Sequence, residues 1–295
     1  MGPTASGKHS VGLALAERLG AEILSLDSMK VYRGMDVGTA KPSAEARARV
    51  PHHLIDLADP AEEFSVARYL GEALSAVEEV LGRGRLPLFV GGTGLYLRAL
   101  VRGLFEGPAT DLAVRERLVQ GDPSSESLHA GLAEIDPRRA AQLHPNDRKR
   151  ILRALEIHAQ TGRPMSAWIE EARHQGLDHP HRIFWLDRDR ADLDERIDRR
   201  TRRLFEDGFV EEVRALEDRM GRQAAFAIGY PEVREYLSGA MEIEECIGAV
   251  AKATRLLARK QRTWFRSFPE ILRFPVGTDD TAGSLAARMA HIQTR

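Results

Sequence analysis

Apolar and polar positions follow two different rhythms along the first hundred residues. Two short apolar runs, Ala21–Leu26 (AEILSL) and 86–90 (LPLFV), read as buried strands. Residues 11–19 and 64–81 instead repeat their apolar positions every three or four residues, the spacing of one helix face, and Ser65 stands where a helix N-cap belongs. Strand, helix and strand at these lengths predict βαβ units and a parallel sheet. A further apolar run at 183–186 (IFWL) predicts a return to the sheet. Between them, 111–171 has helical spacing and no strand pattern, punctuated by Asp136-Pro137 and His144-Pro145-Asn146-Asp147. Residues 192–204, 211–220 and 243–265 read as helices. The predicted class is α/β, with a core assembled from 1–108 and 179–295 and a helical insertion at 109–178.

Composition narrows this only slightly. The 295 residues carry 43 Lys and Arg against 44 Asp and Glu, so bulk charge points to no polyanionic partner; only clustering could. Cys246 is the single cysteine, which excludes a disulfide scaffold and a cysteine-based zinc site. No apolar run approaches the roughly 18 residues of a membrane span, and no signal-peptide pattern is present. The expectation is a soluble cytoplasmic protein, with nothing to demand an obligate oligomer. His52 and His53 are adjacent, so their side chains diverge and a zinc site is not expected.

Gly2-Pro3-Thr4-Ala5-Ser6-Gly7-Lys8 fits G-x-x-x-x-G-K. Such a P-loop curls so that successive backbone N–H groups face one phosphate cluster, with the lysine adding charge and the following helix its N-terminus. The core is therefore expected to be P-loop NTPase-like. Two features depart from the pattern. The next position, whose Ser or Thr hydroxyl normally binds Mg²⁺, is His9, and Ser10 lies about 100° further round the helix. A phosphate loop also follows a strand, and only Met1 precedes Gly2; the expectation is a start assigned too late.

Asp27 follows the first strand run, at the edge where open α/β sheets bind ligands. Alone, such an Asp is as readily a cap or turn former. Its neighbours change the reading. The run DSMKVYRGMDVGTAKP (27–42), between GPTASGK and Pro51-His52-His53-Leu54-Ile55-Asp56, resembles the tRNA dimethylallyltransferases, also called tRNA isopentenyltransferases. So do Gly91-Gly92-Thr93-Gly94-Leu95-Tyr96, His144-Pro145-Asn146-Asp147, Gly208-Phe209 with Glu211-Glu212-Val213, Ile228-Gly229-Tyr230, and Lys260-Gln261-Arg262-Thr263-Trp264-Phe265-Arg266. These stand in family order along nearly the whole chain.

The resemblance implies transfer of a dimethylallyl group from dimethylallyl diphosphate to N6 of adenosine 37, in tRNAs that read codons beginning with U. It implies that Gly2, Pro3, Thr4, Ala5, Ser6, Gly7, Lys8 and His9 hold the diphosphate, with Mg²⁺ as cofactor and Arg196 and Arg200 nearby. Asp27 matches the family's catalytic carboxylate, and Thr93 matches the residue that contacts donor and base. A carboxylate suits a weakly nucleophilic amine, and fixed positive charge suits a diphosphate leaving group.

From 247 to 269 there is no acidic residue, while Lys252, Arg255, Arg259, Lys260, Arg262 and Arg266 are interleaved with Trp264 and Phe265. A second basic group includes Arg138, Arg139, Arg148, Lys149, Arg150 and Arg153. By themselves such clusters read more simply as solvated faces. On segments that resemble the family's tRNA contacts, they nominate Lys149, Arg150, Ile151, Leu152 and Arg153, together with Lys260, Arg262 and Arg266, for the anticodon stem-loop. Arg115 matches a further contact, and Asp27, Ser28, Met29, Lys30 and Thr93 are placed at the base itself. Lys30 departs from the family, where Gln is common. Two rival functions share the scaffold: an adenylate isopentenyltransferase acting on a free nucleotide, and a P-loop small-molecule kinase.

Overall fold

Ala21–Leu26 forms strand β1, buried along its whole length, which is why it reads as a run and not as an alternation. β2 (His52–His53) and β3 (Leu86–Gly91) flank it, both parallel, with Ile23 opposite His52 and Leu88 opposite Ile23. β4 (Ile183–Arg188) and β5 (Ile271–Val276) form a second parallel pair. The first two residues hydrogen-bond to both sheets. Gly2 N–H donates to Gly91 O (3.2 Å), the Met1 amine donates to Phe184 O (2.7 Å), and Leu186 N–H donates to Met1 O (2.9 Å). The glycine-rich loop therefore begins between β3 and β4, at the carboxyl end of β3. The α/β class with a parallel-sheet core holds.

This computed structural model describes residues 1–105, 107–121, 123–172 and 176–293. Helices α1 (Lys8–Leu19), α2 (Ala44–Arg49), α3 (Val66–Gly82) and α4 (Gly94–Arg102) belong to the first stretch. α5 (Leu112–Val119), α6 (Ser125–Ile135), α7 (Pro137–Ala140), α8 (Arg148–Thr161) and α9 (Met165–Ala172) follow, with no strand among the described residues there. α10 (Arg190–Glu206), α11 (Phe209–Leu216), α12 (Arg222–Ala225), α13 (Tyr230–Leu237), α14 (Ile243–Arg266) and α15 (Ala282–Gln293) complete the order. The backbone divides into two compact units, 1–97 with 179–295, and 98–178.

In the larger unit, α1 and α15 cover the second sheet. Val11 and Leu15 meet Leu285, Ala286 and Met289 over Phe184, Leu186, Phe274 and Val276. Apart from Ala286, each of these side chains contributes roughly 1.5–3 kcal/mol of transfer free energy when fully buried. Ser65 caps α3 as the sequence predicts, its Oγ accepting from Arg68 N–H at 3.1 Å. The smaller unit has its own core of Leu128, Leu132, Ala140, Leu143, Ile151, Ala154 and Leu155.

Candidate active site

The loop from Gly2 to Lys8 is held by cations. Gly7 has φ 85°, a left-handed turn that lets the chain enter α1 directly, and that helix end carries no side-chain cap. Its free N–H groups and dipole face the loop. Arg196 Nε donates to Ala5 O (2.9 Å), Arg188 Nε to Ser6 O (2.8 Å) and Lys8 Nζ to Pro3 O (3.3 Å). Arg200 Nη1 donates to Thr4 Oγ1 (3.0 Å). Arg196 and Arg200 thus both reach the loop from one face of α10.

This charge is dense. Burial pushes the Lys8 ammonium down to about 7, the Arg200 charge adds to the effect, and Asp27 opposes it. Burial likewise lowers Lys30, with Asp27 again opposing and Arg200 and Lys41 adding. His9 is driven down to about 4 by burial, Lys30, His52 and Lys8, so it is neutral at pH 7. Its ring lies 5.5 Å from that of His52. The charge of Asp27 acts on Lys8, Lys30 and Arg200 alike, so three cations share one carboxylate, a balance suited to receiving an anion.

Asp27 stands directly after β1. Its Oδ1 accepts from Met29 N–H at 3.0 Å, and Ser28 N–H donates to Thr93 Oγ1 at 3.1 Å. Gly92 and Thr93 both donate backbone N–H groups to Leu26 O (3.0 and 3.2 Å). The β1 and β3 ends therefore form one edge. Tyr69 and Tyr96 stack behind it at 3.7 Å, with Tyr69 OH donating to Ser25 O (2.9 Å). Burial raises Tyr96, and the charges of Tyr32 and Asp27 add to that.

The segment after Asp27 is fastened from far along the chain. The Glu212 carboxylate accepts from the backbone N–H groups of Asp36 (2.7 Å), Val37 (2.6 Å) and Gly38 (2.9 Å), and from Tyr230 OH (2.7 Å). Lys41 donates to Asp36 and Asp56, both at 2.6 Å. Gln261, on α14, joins two parts of the edge: its Oε1 accepts from Thr4 N–H (2.8 Å) and its Nε2 donates to Gly92 O (3.0 Å). Sequence reasoning singled out neither Glu212 nor Gln261 as a site residue, although both lie in quoted motifs. Arg188 carried no sequence signal.

The structure gathers residues 2–9, Asp27, Ser28, Met29, Lys30, Thr93, Arg196 and Arg200 in the larger unit. On α14, Lys260 and Arg266 are exposed, whereas Arg262 pairs with the buried Asp187 at 3.1 Å. In the smaller unit, Lys149 and Arg150 are exposed at the start of α8. Ile151 is buried in that unit's core, with Leu152 packed against it. Arg115 and Arg153 face the fully buried Glu156 at 3.5 and 3.3 Å.

The IPP transferase family model matches residues 30–268. The chain is 46% identical over 288 residues to a tRNA dimethylallyltransferase of Geobacter sulfurreducens, covering 94% of this chain and 92% of that one. Among solved structures it is similar to the tRNA isopentenylpyrophosphate transferase of Bacillus halodurans, at 39% identity and a TM-score of 0.71, over 98% of this chain and 94% of the other. It is also similar to a eukaryotic dimethylallyltransferase acting on tRNA, at 26% identity and a TM-score of 0.83, over 100% and 78%. The chain belongs to the IPP transferase family. It is a transferase of the tRNA dimethylallyltransferase type.

Membership in the IPP transferase family implies a divalent-metal-dependent transfer. Among the described residues no three His, Cys, Asp or Glu side chains gather into a metal cluster. His9 offers a neutral nitrogen where Mg²⁺ prefers hard oxygen. Asp27 offers one carboxylate at the edge beside the loop, and Mg²⁺ is commonly held by one or two carboxylates plus substrate phosphates. These residues therefore fit a metal carried mainly on a diphosphate, not one caged by the protein.

Proposed function

We propose that this IPP transferase moves a dimethylallyl group from dimethylallyl diphosphate to N6 of adenosine 37 in tRNA, with Asp27 as the catalytic base. The N6 amine attacks the prenyl C1, the C1–O bond to diphosphate breaks, and Asp27 takes the proton released by the amine. Residues 2–9 hold the diphosphate, and Lys8, Arg196 and Arg200 neutralise the charge that grows on it. Thr93 stands between donor and base. Mg²⁺ bound to the diphosphate supplies further charge neutralisation. Ser28, Met29 and Lys30 line the base. Arg115, Lys149, Arg150, Ile151, Leu152 and Arg153 in the insertion at 109–178 serve binding of the anticodon stem-loop, and so, in the larger unit, do Lys260, Arg262 and Arg266; Ile151 contributes through its place in its helix, and Arg262 through its pairing with Asp187. The protein acts as a cytoplasmic monomer.

One observation carries this reading: Asp27 and Thr93 share an edge with a loop that is ringed by Lys8, Arg188, Arg196 and Arg200. A carboxylate beside concentrated positive charge suits an amine acceptor and a diphosphate donor together. The test is incubation with labelled dimethylallyl diphosphate, Mg²⁺ and an unmodified tRNA whose adenosine 37 is flanked by adenosines, with AMP as competing acceptor. Label in the tRNA is the expected result. Label in AMP alone would move the chain to nucleotide-prenylating enzymes, and label in neither would refute the reading.

A further inference from the structure

Gln261 is a half-buried amide on a helix that exposes Arg259, Lys260 and Arg266 nearby. Its two polar atoms bond to two different segments of the candidate site. Oε1 accepts from Thr4 N–H in the phosphate loop (2.8 Å), and Nε2 donates to Gly92 O, one residue before Thr93 (3.0 Å). The Gly92–Thr93 turn is itself bonded to Leu26 O, next to Asp27. Gly2 N–H already ties the start of the loop to Gly91 O, and Gln261 adds a second tie further along, from Thr4 to Gly92, so its side chain registers the middle of the loop against the edge that carries Asp27 and Thr93. Gly92 is shaped for this contact: a β-carbon there would collide with Gln261 Nε2 and lie 3.0 Å from Gly2 O. Only an amide of this length offers an acceptor and a donor at once. A glutamate would accept from Thr4 N–H but would face Gly92 O without a proton.

We infer that Gln261 is a positioning residue for prenyl transfer, registering the diphosphate loop against Asp27 and Thr93, and that it is not part of the tRNA surface formed by Lys260 and Arg266. This rests on the function proposed above. A displacement of reacting groups by about 1 Å costs on the order of 100-fold in rate. Losing Gln261 therefore acts on turnover and donor binding, whereas loss of a phosphate contact acts on tRNA affinity and its salt dependence.

The test compares Gln261→Met and Gln261→Glu with the unaltered full chain. Single-turnover transfer, tRNA affinity and binding of inorganic diphosphate by calorimetry are measured for each. Gln261→Met is expected to slow transfer by roughly 30- to 100-fold, to weaken diphosphate binding, and to leave the tRNA dissociation constant within about twofold. Gln261→Glu keeps the volume and the bond to Thr4, so it serves if Gln261→Met does not fold; it is expected to weaken diphosphate binding at least as much, through its added negative charge. Transfer within about threefold of the unaltered rate, or tRNA affinity falling in step with the rate, overturns the inference. If the unaltered protein modifies no tRNA, the function reading fails. The diphosphate titration then decides the inference alone, and equal affinity in all three proteins overturns it.

Discussion

Ser28 N–H donates to Thr93 Oγ1 across 3.1 Å, which ties the residue after Asp27 to the turn at the end of β3. The two residues are 65 apart in sequence, and the parallel pairing of β1 with β3 is what brings them together. Because the hydroxyl accepts this bond, its own proton remains for another acceptor. In the proposed reaction that acceptor is the donor's oxygen.

Thr93→Val keeps the branched shape and removes both functions of the hydroxyl. The expected result is a fall in transfer of about 10- to 100-fold, as for other single donors of transition-state hydrogen bonds. Loss of one neutral hydrogen bond costs stability by about 1 kcal/mol. Single-turnover kinetics with a thermal melt separates the two; unchanged transfer would remove Thr93 from the site.

Lys8 gives a pH signature. With its ammonium pushed down to about 7 by burial and by Arg200, the free protein holds it partly neutral at pH 7.5. Diphosphate favours the charged form, so binding takes up a proton, and affinity falls as pH rises above 7. Calorimetry in buffers of different ionisation enthalpy should show this uptake, and Lys8→Met should abolish it. The stability sign is the opposite. Between about 7 and 10.5 the unfolded chain holds the proton that the folded one has lost, so this group's contribution to stability rises with pH across that window. Diphosphate binding without proton uptake would contradict the account.

The basic residues divide into two kinds. Lys149 is exposed, whereas Arg262 answers Asp187, which is 3% exposed at its side chain. Lys149→Ala is expected to weaken tRNA binding and to lower the slope of log affinity against log salt by roughly one, with stability unchanged. Arg262→Ala leaves Asp187 with Arg273 as its remaining ion-pair partner and is expected to cost about 2–3 kcal/mol in denaturant unfolding. The reverse assignment of these effects would refute it.

What the sequence revealed was local. β1, β3 and β4 are apolar runs, and the phosphate loop and the Asp27 segment are each contiguous, so all were legible. β2 escaped because it is two residues long. β5 escaped because Leu272 and Arg273 are both exposed and Pro275 breaks the strand pattern; Pro is tolerated there because β5 pairs with β4 alone among the described residues. The fastening of the site was not legible. Glu212 reaches Asp36 across 176 residues and Gln261 reaches Thr4 across 257. No spacing rule links residues that far apart; tertiary packing alone pairs them. Arg262 reads as one member of a basic run until its partner 75 residues away is known.

The most direct test of the central claim is the single-turnover rate of prenyl transfer by Asp27→Asn, measured with saturating dimethylallyl diphosphate, Mg²⁺ and tRNA, alongside tRNA affinity. Asparagine keeps the shape and can still accept from Met29 N–H, but it cannot take the proton of the amine. The account predicts a loss of about 100- to 10,000-fold in rate with tRNA binding largely kept. A rate within a few-fold of the unaltered protein would show that the carboxylate beside the phosphate loop is not the catalytic base.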